Sequence, residues 1–139
     1  MRNEGEAQAG SQSDQSQSTA LPVNAANMRK LRGLFASGVS VVTTVHESRL
    51  KGITVSAFVE VSLDPPLVLV CIANDAESRA LLEASKVFAV NILSDDQEFL
   101  AERFAARAPL VNDRFEGVPY HTASTGAPIL DQSIAWYDC

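Results

Sequence analysis

The chain has 139 residues and carries 17 acidic against 11 basic side chains, for a net charge of −6. That length supports one domain with its own core, and the acidic balance disfavours non-specific nucleic-acid binding, which rests on clustered Lys and Arg. No stretch approaches the ~20 apolar residues of a membrane span. The start does not read as a signal peptide either, since Arg2 is followed by Glu4 and Glu6 with no apolar run. These features predict a soluble, cytoplasmic protein.

Residues 1–26 read as a disordered tail and residues 27–139 as the folded domain. Up to Ala20 the tail is Gln, Ser, Ala and Gly with scattered charges. It offers too little apolar surface to offset the entropy of ordering. From Asn27 to Ala36 the apolar residues Met28, Leu31 and Leu34 or Phe35 recur at helical spacing, and Gly38 is placed to end that helix. The β-branched run Val39 to Val45 predicts a strand, His46 to Arg49 a turn, and Leu50 to Val55 the next strand. Gly52 within it marks a bulge or the close approach of a backbone or ligand. Phe58, Val59 and Val61 continue as strand until Ser62-Leu63-Asp64-Pro65-Pro66 breaks it.

Leu67 to Ala73 is apolar throughout and predicts a central, fully buried strand, in which Cys71 would act as a small hydrophobe. Asn74 or Asp75 is placed to cap a helix from about Ala76 to Ser85. Val87 to Leu93 is a second buried strand, and its Asn91 needs a hydrogen-bond partner. Ser94-Asp95-Asp96-Gln97 matches a capping box and predicts a helix from Asp95 to about Ala106, with Phe99, Leu100 and Phe104 facing inward. Ala108 to Gly117 reads as a loop, and Val118 to Thr122 and Ile129 to Asp138 are candidate strands. Many short strands with helices at intervals and no strict βαβ alternation predict a mainly β fold with flanking helices.

Nucleotide signatures are absent: there is no G-x-x-x-x-G-K and no G-x-G-x-x-G, and the seven glycines are dispersed. His46 and His121 lack ligand-spaced partners, so no metal site is expected. Neither has a serine or cysteine in a recognisable catalytic setting, and no catalytic side chain is assigned. Two cysteines, Cys71 and Cys139, do not make a disulfide framework. The Thr54 and Ser56 hydroxyls fit either an exposed strand face or a ligand. Ser78 at a helix start either caps the helix or holds a phosphate. Arg103, Arg107 and Arg114 fall close enough in sequence to form a local basic pocket.

Five pieces in fixed order add what spacing cannot: LRGLFASGVSVVTT, GITVSAFVEVSLDPPLVLVCIA, SKVFAVNILSDDQEFLAERFA, DRFEGVPY and GAPILDQSIAWYDC. On these, residues 28–139 resemble the flavin reductase-like family, the reductase components of two-component flavin monooxygenases. The double-proline segment is the most specific. The resemblance implies an FMN-binding split β-barrel, a homodimer, and an NAD(P)H:flavin oxidoreductase that passes hydride from NADH or NADPH to FMN or FAD. Reduced flavin would serve an oxygenase partner. A non-catalytic flavin-binding protein is the alternative, and a pyridoxamine-phosphate-type oxidase is disfavoured by the SLDPPLVLV context.

By matching position, the resemblance places Leu50, Lys51, Gly52, Ile53 and Thr54 along the isoalloxazine. Ser56 and Ala57 fall at the ring edge and ribityl chain, and Cys71, Ile72 and Ala73 at the next strand end. Glu77 and Ser78 fall on the phosphate side with Arg103 and Phe104. Arg103 is thereby read as a phosphate partner, against its other reading as a complement to its helix end. Ala57 stands where the family often has a second Ser. The family continues through further strands that complete the barrel and carry a Gly-Asp-His segment tied to nicotinamide binding. Nothing here matches that segment, so the C-terminal strands are expected to be missing.

Overall fold

In a computed structural model, residues 20–107 and 113–139 are described. Most of the expected tail and the first part of the loop expected from Ala108 lie outside them. The chain divides between Ala36 and Ser37. Before that point stands helix α1 (Ala25–Arg32), capped by Asn24, whose side chain accepts from the Asn27 amide at 2.9 Å. It begins two residues earlier than the periodicity predicts and ends at Gly33 rather than Gly38.

From Ser37 onward the fold is built on a four-stranded antiparallel sheet in the order β2-β1-β5-β8. Strands β1 (Ser40–His46) and β2 (Arg49–Val55) form a hairpin in register from Ser40 opposite Val55 to His46 opposite Arg49. Both turn residues, Glu47 and Ser48, have positive φ (48° and 63°), the twist that a two-residue hairpin loop requires. Strand β5 (Ala89–Ile92) pairs with the other side of β1, and β8 (Ala135–Asp138) pairs with β5.

Because successive residues of a strand point to opposite faces, β1 buries both of its faces. Val41 packs with Leu93, Leu100, Phe104, Phe115, Val118 and Leu130. Val42 packs with Val55 and Val90 on the opposite face, backed by Phe58, Val70, Leu82 and Tyr137. The first face is covered by α3 (Glu98–Phe104) and the hairpin of β6 (Tyr120–Thr122) and β7 (Pro128–Leu130). The second is covered by α2 (Glu77–Ser85) and the hairpin of β3 (Phe58–Leu63) and β4 (Pro66–Val70).

Asn91, fully buried, ties the sheet to β7. Its Nδ2 donates to the Val41 carbonyl (3.0 Å) and the Thr43 hydroxyl (3.1 Å), and its Oδ1 accepts from the Leu130 amide (2.8 Å). The polar interruption expected in this strand is therefore a brace between two sheets.

Four expectations are corrected. The run from Leu67 to Ala73 is not a central strand. β4 stops at Val70 and belongs to a two-stranded hairpin, so Leu67 and Leu69 lie about half exposed, and Cys71 is exposed. A run that is apolar on both faces looks the same in sequence whether both faces are covered or one is left open. The expected cap of α2 is not Asn74 or Asp75 but Ala76, which has no side chain to cap with. The helix expected from Asp95 begins as a 3₁₀ turn (Asp95–Gln97), and Phe99 faces outward while Leu100 and Phe104, four apart, stay buried. Finally, Ile129 to Asp138 is two strands, split at Gln132, whose φ is 64°.

Candidate functional site

Strand β2 is an edge strand, and along it half of the predicted residues meet. Thr54 and Gly52 face α3, and Ile53 and Lys51 face α2, as strand alternation demands. Gly52 is buried under the ring of Phe104. The Thr54 hydroxyl donates to the Ala101 carbonyl of α3 at 2.7 Å, so it pins the helix to the strand. Arg114 reaches across from the far side, with Nη1 at 3.4 Å from the carbonyls of both Gly52 and Phe104. Since the Gly52 carbonyl points away from β1, the alternation of an antiparallel ladder turns the amides and carbonyls of Leu50 and Thr54 to the same open edge.

A cleft of about 430 Å³ wraps this edge, from the N-terminus of α2 (Ala76, Glu77, Ser78) past Ile53 and Thr54 to the end of α3 and Arg114. Three features suit it to an anion. The first-turn amides of α2 lack a side-chain cap, and such amides together with the helix dipole favour negative charge. The Ser78 hydroxyl is buried with no hydrogen-bond partner among the described residues. An orphan of this kind in a site wall is costly unless something binds it. Two cations converge at the mouth: Lys51 Nζ lies 3.4 Å and Arg114 Nη2 3.8 Å from the same Glu77 oxygen, Oε2.

A second hollow, of about 360 Å³, lies against hairpin β3–β4 and the β8 edge. It is lined by Leu67, Phe88 and Tyr137 together with the carboxylates of Glu60 and Asp138. With two carboxylates and no Lys or Arg among its described lining residues, it does not suit an anion. Cys139 also borders it, and burial, with Asp138 adding to it, pushes that thiol's pKa up.

Of the predicted residues, Ile53, Thr54, Glu77, Ser78 and Phe104 line the cleft together, and Lys51 joins them through Glu77. Leu50 packs partly against the Val41 core. Ser56, Ala57, Cys71 and Ala73 lie exposed on a separate strip, joined by the bond from the Cys71 amide to the Ala57 carbonyl (3.0 Å); Ile72 packs against the Val42 core. Arg103 does not reach the cleft. Its Nη2 donates to the carbonyls of Asp113 and Glu116, which spends it on the turn after the helix. The guanidinium in the cleft belongs to Arg114, which sequence reasoning noted only as part of a basic cluster. Its placement comes from the turn at Asp113, whose Oδ1 accepts from the Phe115 amide at 2.8 Å.

An edge strand flanked by two helix ends, with paired cations and an uncapped amide cluster, makes a cleft on a β scaffold whose chemistry suits an anion. Residues 31–139 match the model of the flavin reductase like domain, and the chain belongs to that family. Its fold is the split barrel of the solved flavin reductases. The chain is 37% identical over 111 residues to a flavin-dependent monooxygenase reductase subunit of Mycobacterium tuberculosis, covering 80% of this chain and 58% of that one. The chain thus spans little more than half of that curated relative. The crystal structure of a nitrilotriacetate monooxygenase component B homologue from Mycobacterium thermoresistibile superposes with a TM-score of 0.76 at 40% identity, covering 82% of this chain and 62% of the other. An NADH:FAD oxidoreductase of Streptomyces globisporus, solved with NAD and FAD fragments, gives 0.72 at 36% identity, covering 86% and 73%.

Proposed function

We propose that this chain forms the flavin-holding part of an NAD(P)H:flavin oxidoreductase that delivers reduced FMN or FAD to an oxygenase partner in the cytoplasm. The observation that carries the reading is the cleft on the β2 edge, where an orphan serine, uncapped helix amides and two cations converge. Relatives named as reductase subunits of flavin-dependent monooxygenases support it.

The residues fit the group. The Ser78 hydroxyl and the α2 amides would hold the phosphate end, and Lys51 and Arg114 would balance its charge. The outward amides and carbonyls of Leu50, Gly52 and Thr54 would meet the polar edge of the ring system, and Ser56 and Ala57 would follow it along the exposed strip. Bound flavin supplies the hydride-accepting chemistry, and the protein supplies orientation and electrostatics. On this reading no nucleophile or general base is required of the chain.

The reading includes a homodimer built through the outer face of hairpin β3–β4. Val59, Val61, Leu67 and Leu69 are each at least half exposed there. An uncharged apolar face of this kind suits a second copy of itself. The test of the main reading is a flavin titration followed by an NAD(P)H oxidation assay. Quenching of flavin fluorescence at micromolar protein is expected, and unchanged fluorescence would overturn the reading.

A further inference from the structure

The carboxylate of Glu77 stands where the ligand's charge is expected. One oxygen, Oε2, is approached by both Lys51 (3.4 Å) and Arg114 (3.8 Å). The same residue opens α2, where a carboxylate is favoured by the helix amides. Next to it, Ser78 keeps a buried hydroxyl that Glu77 leaves without a partner. Arg107, which also lines the cleft, pairs with Glu102 instead; Glu77 therefore holds Lys51 and Arg114 but leaves the Ser78 hydroxyl unpaired, which is the behaviour expected of a stand-in rather than of a permanent occupant.

We infer that Glu77 is a built-in anionic placeholder that competes with the phosphate of the ligand for Lys51 and Arg114 and so sets how readily that ligand leaves. The inference rests on the reading of the cleft as a flavin phosphate site. Its physical basis is simple. Both ion pairs are long, and the Glu77 side chain is 69% exposed, so the carboxylate is free to rotate into water at small cost. Until an anion arrives, it holds the two cations at the mouth of the cleft instead of letting them disperse. Once a phosphate takes the Ser78 hydroxyl and the α2 amides, the carboxylate is left beside a like charge, and the repulsion speeds departure. A protein that must release its flavin to a partner gains from such a competitor, which keeps the complex exchangeable.

The test compares FMN with riboflavin, which has the same ring and no phosphate, by fluorescence titration and stopped-flow release on the full chain. Glu77→Gln is expected to bind FMN about three- to tenfold more tightly, with slower release and unchanged riboflavin affinity, the scale of one partly screened charge. Equal tightening of riboflavin would overturn the inference, because anion competition acts only on the phosphate. Unchanged or weaker FMN binding would also overturn it. In that case Ser78→Ala and Arg114→Ala decide what else falls: if they still weaken FMN, the phosphate site stands without the placeholder. If they leave FMN unaltered, the reading of the cleft falls too.

Discussion

The ring of Phe104 lies where a side chain on Gly52 would have to be. A Cβ built at Gly52 meets Phe104 Cδ1 and Cε1 at 2.6 Å, and Val41 Cγ1 at 3.5 Å. Phe104 is 1% exposed and packs edge-on against Phe115 at 5.1 Å, so the ring has nowhere to retreat. This contact brings the end of α3 onto the edge strand and thereby forms one wall of the cleft. Gly52→Ala is therefore expected to cost about 1–3 kcal/mol by overpacking and to weaken flavin binding at the same time. Thermal denaturation checks the first effect and fluorescence titration the second. An alanine variant as stable as the parent would show that the Phe104 contact does not constrain the strand.

Ser78 and the arginines separate binding from folding. Ser78→Ala is expected to weaken FMN by about 1–3 kcal/mol, the worth of a hydrogen bond to a charged group. It should leave the melting temperature level or raised, since it removes a buried hydroxyl with no protein partner. Arg114→Ala should weaken FMN on the same scale. Arg103→Ala should act mainly on stability, because its guanidinium holds the turn carbonyls of Asp113 and Glu116. A larger affinity loss from Arg103→Ala than from Arg114→Ala would return the phosphate to the position implied by family resemblance.

The outer face of hairpin β3–β4 gives a prediction about assembly. Leu69 is 51% exposed and lies directly across the ladder from Val59. Leu69→Glu places a charge in the middle of that apolar face and is expected to shift the protein toward monomer in sedimentation velocity, with little change in monomer fold. A dimer of unaltered strength in the variant would place the subunit contact elsewhere.

The two thiols should differ in reactivity. Cys71 is exposed at the end of β4. Cys139 is partly covered, and burial together with Asp138 pushes its pKa above the ordinary thiol value. Since the thiolate is the reactive form, Cys71 should label with a maleimide first near neutral pH, and Cys139 should catch up only as pH rises above 9. The linkage has a matching sign. A raised folded-state pKa keeps its stability contribution below the unfolded value near 9 and loses it as pH climbs through the folded value. Peptide mapping after timed labelling checks the order, and faster labelling of Cys139 at neutral pH would contradict it.

Much of this architecture was legible in local pattern. The β-branched run of β1, the turn at Glu47-Ser48, the Leu50–Val55 strand and the α2 segment all appear where periodicity put them, because those signals depend only on neighbours in sequence. The resemblance to flavin reductases likewise came from residues in order along the chain, and of the residues it named, Ile53, Thr54, Glu77, Ser78 and Phe104 line one cleft in the structure. What sequence could not decide is which faces of the apolar strands find cover and which polar groups find partners. Leu67 and Leu69 read as core but stand half exposed, since among the described residues their hairpin has two strands. Thr54 read as a cofactor ligand, and its hydroxyl is spent on Ala101. In sequence Arg103 reads as the phosphate partner and Arg114 only as part of a basic cluster, and the turn at Asp113 sets Arg103 on backbone carbonyls and Arg114 in the cleft. Hydrogen-bond satisfaction and burial are settled between segments tens of residues apart, so only the tertiary structure shows that the cleft lies on the edge strand β2, with Glu77 paired to Lys51 and Arg114.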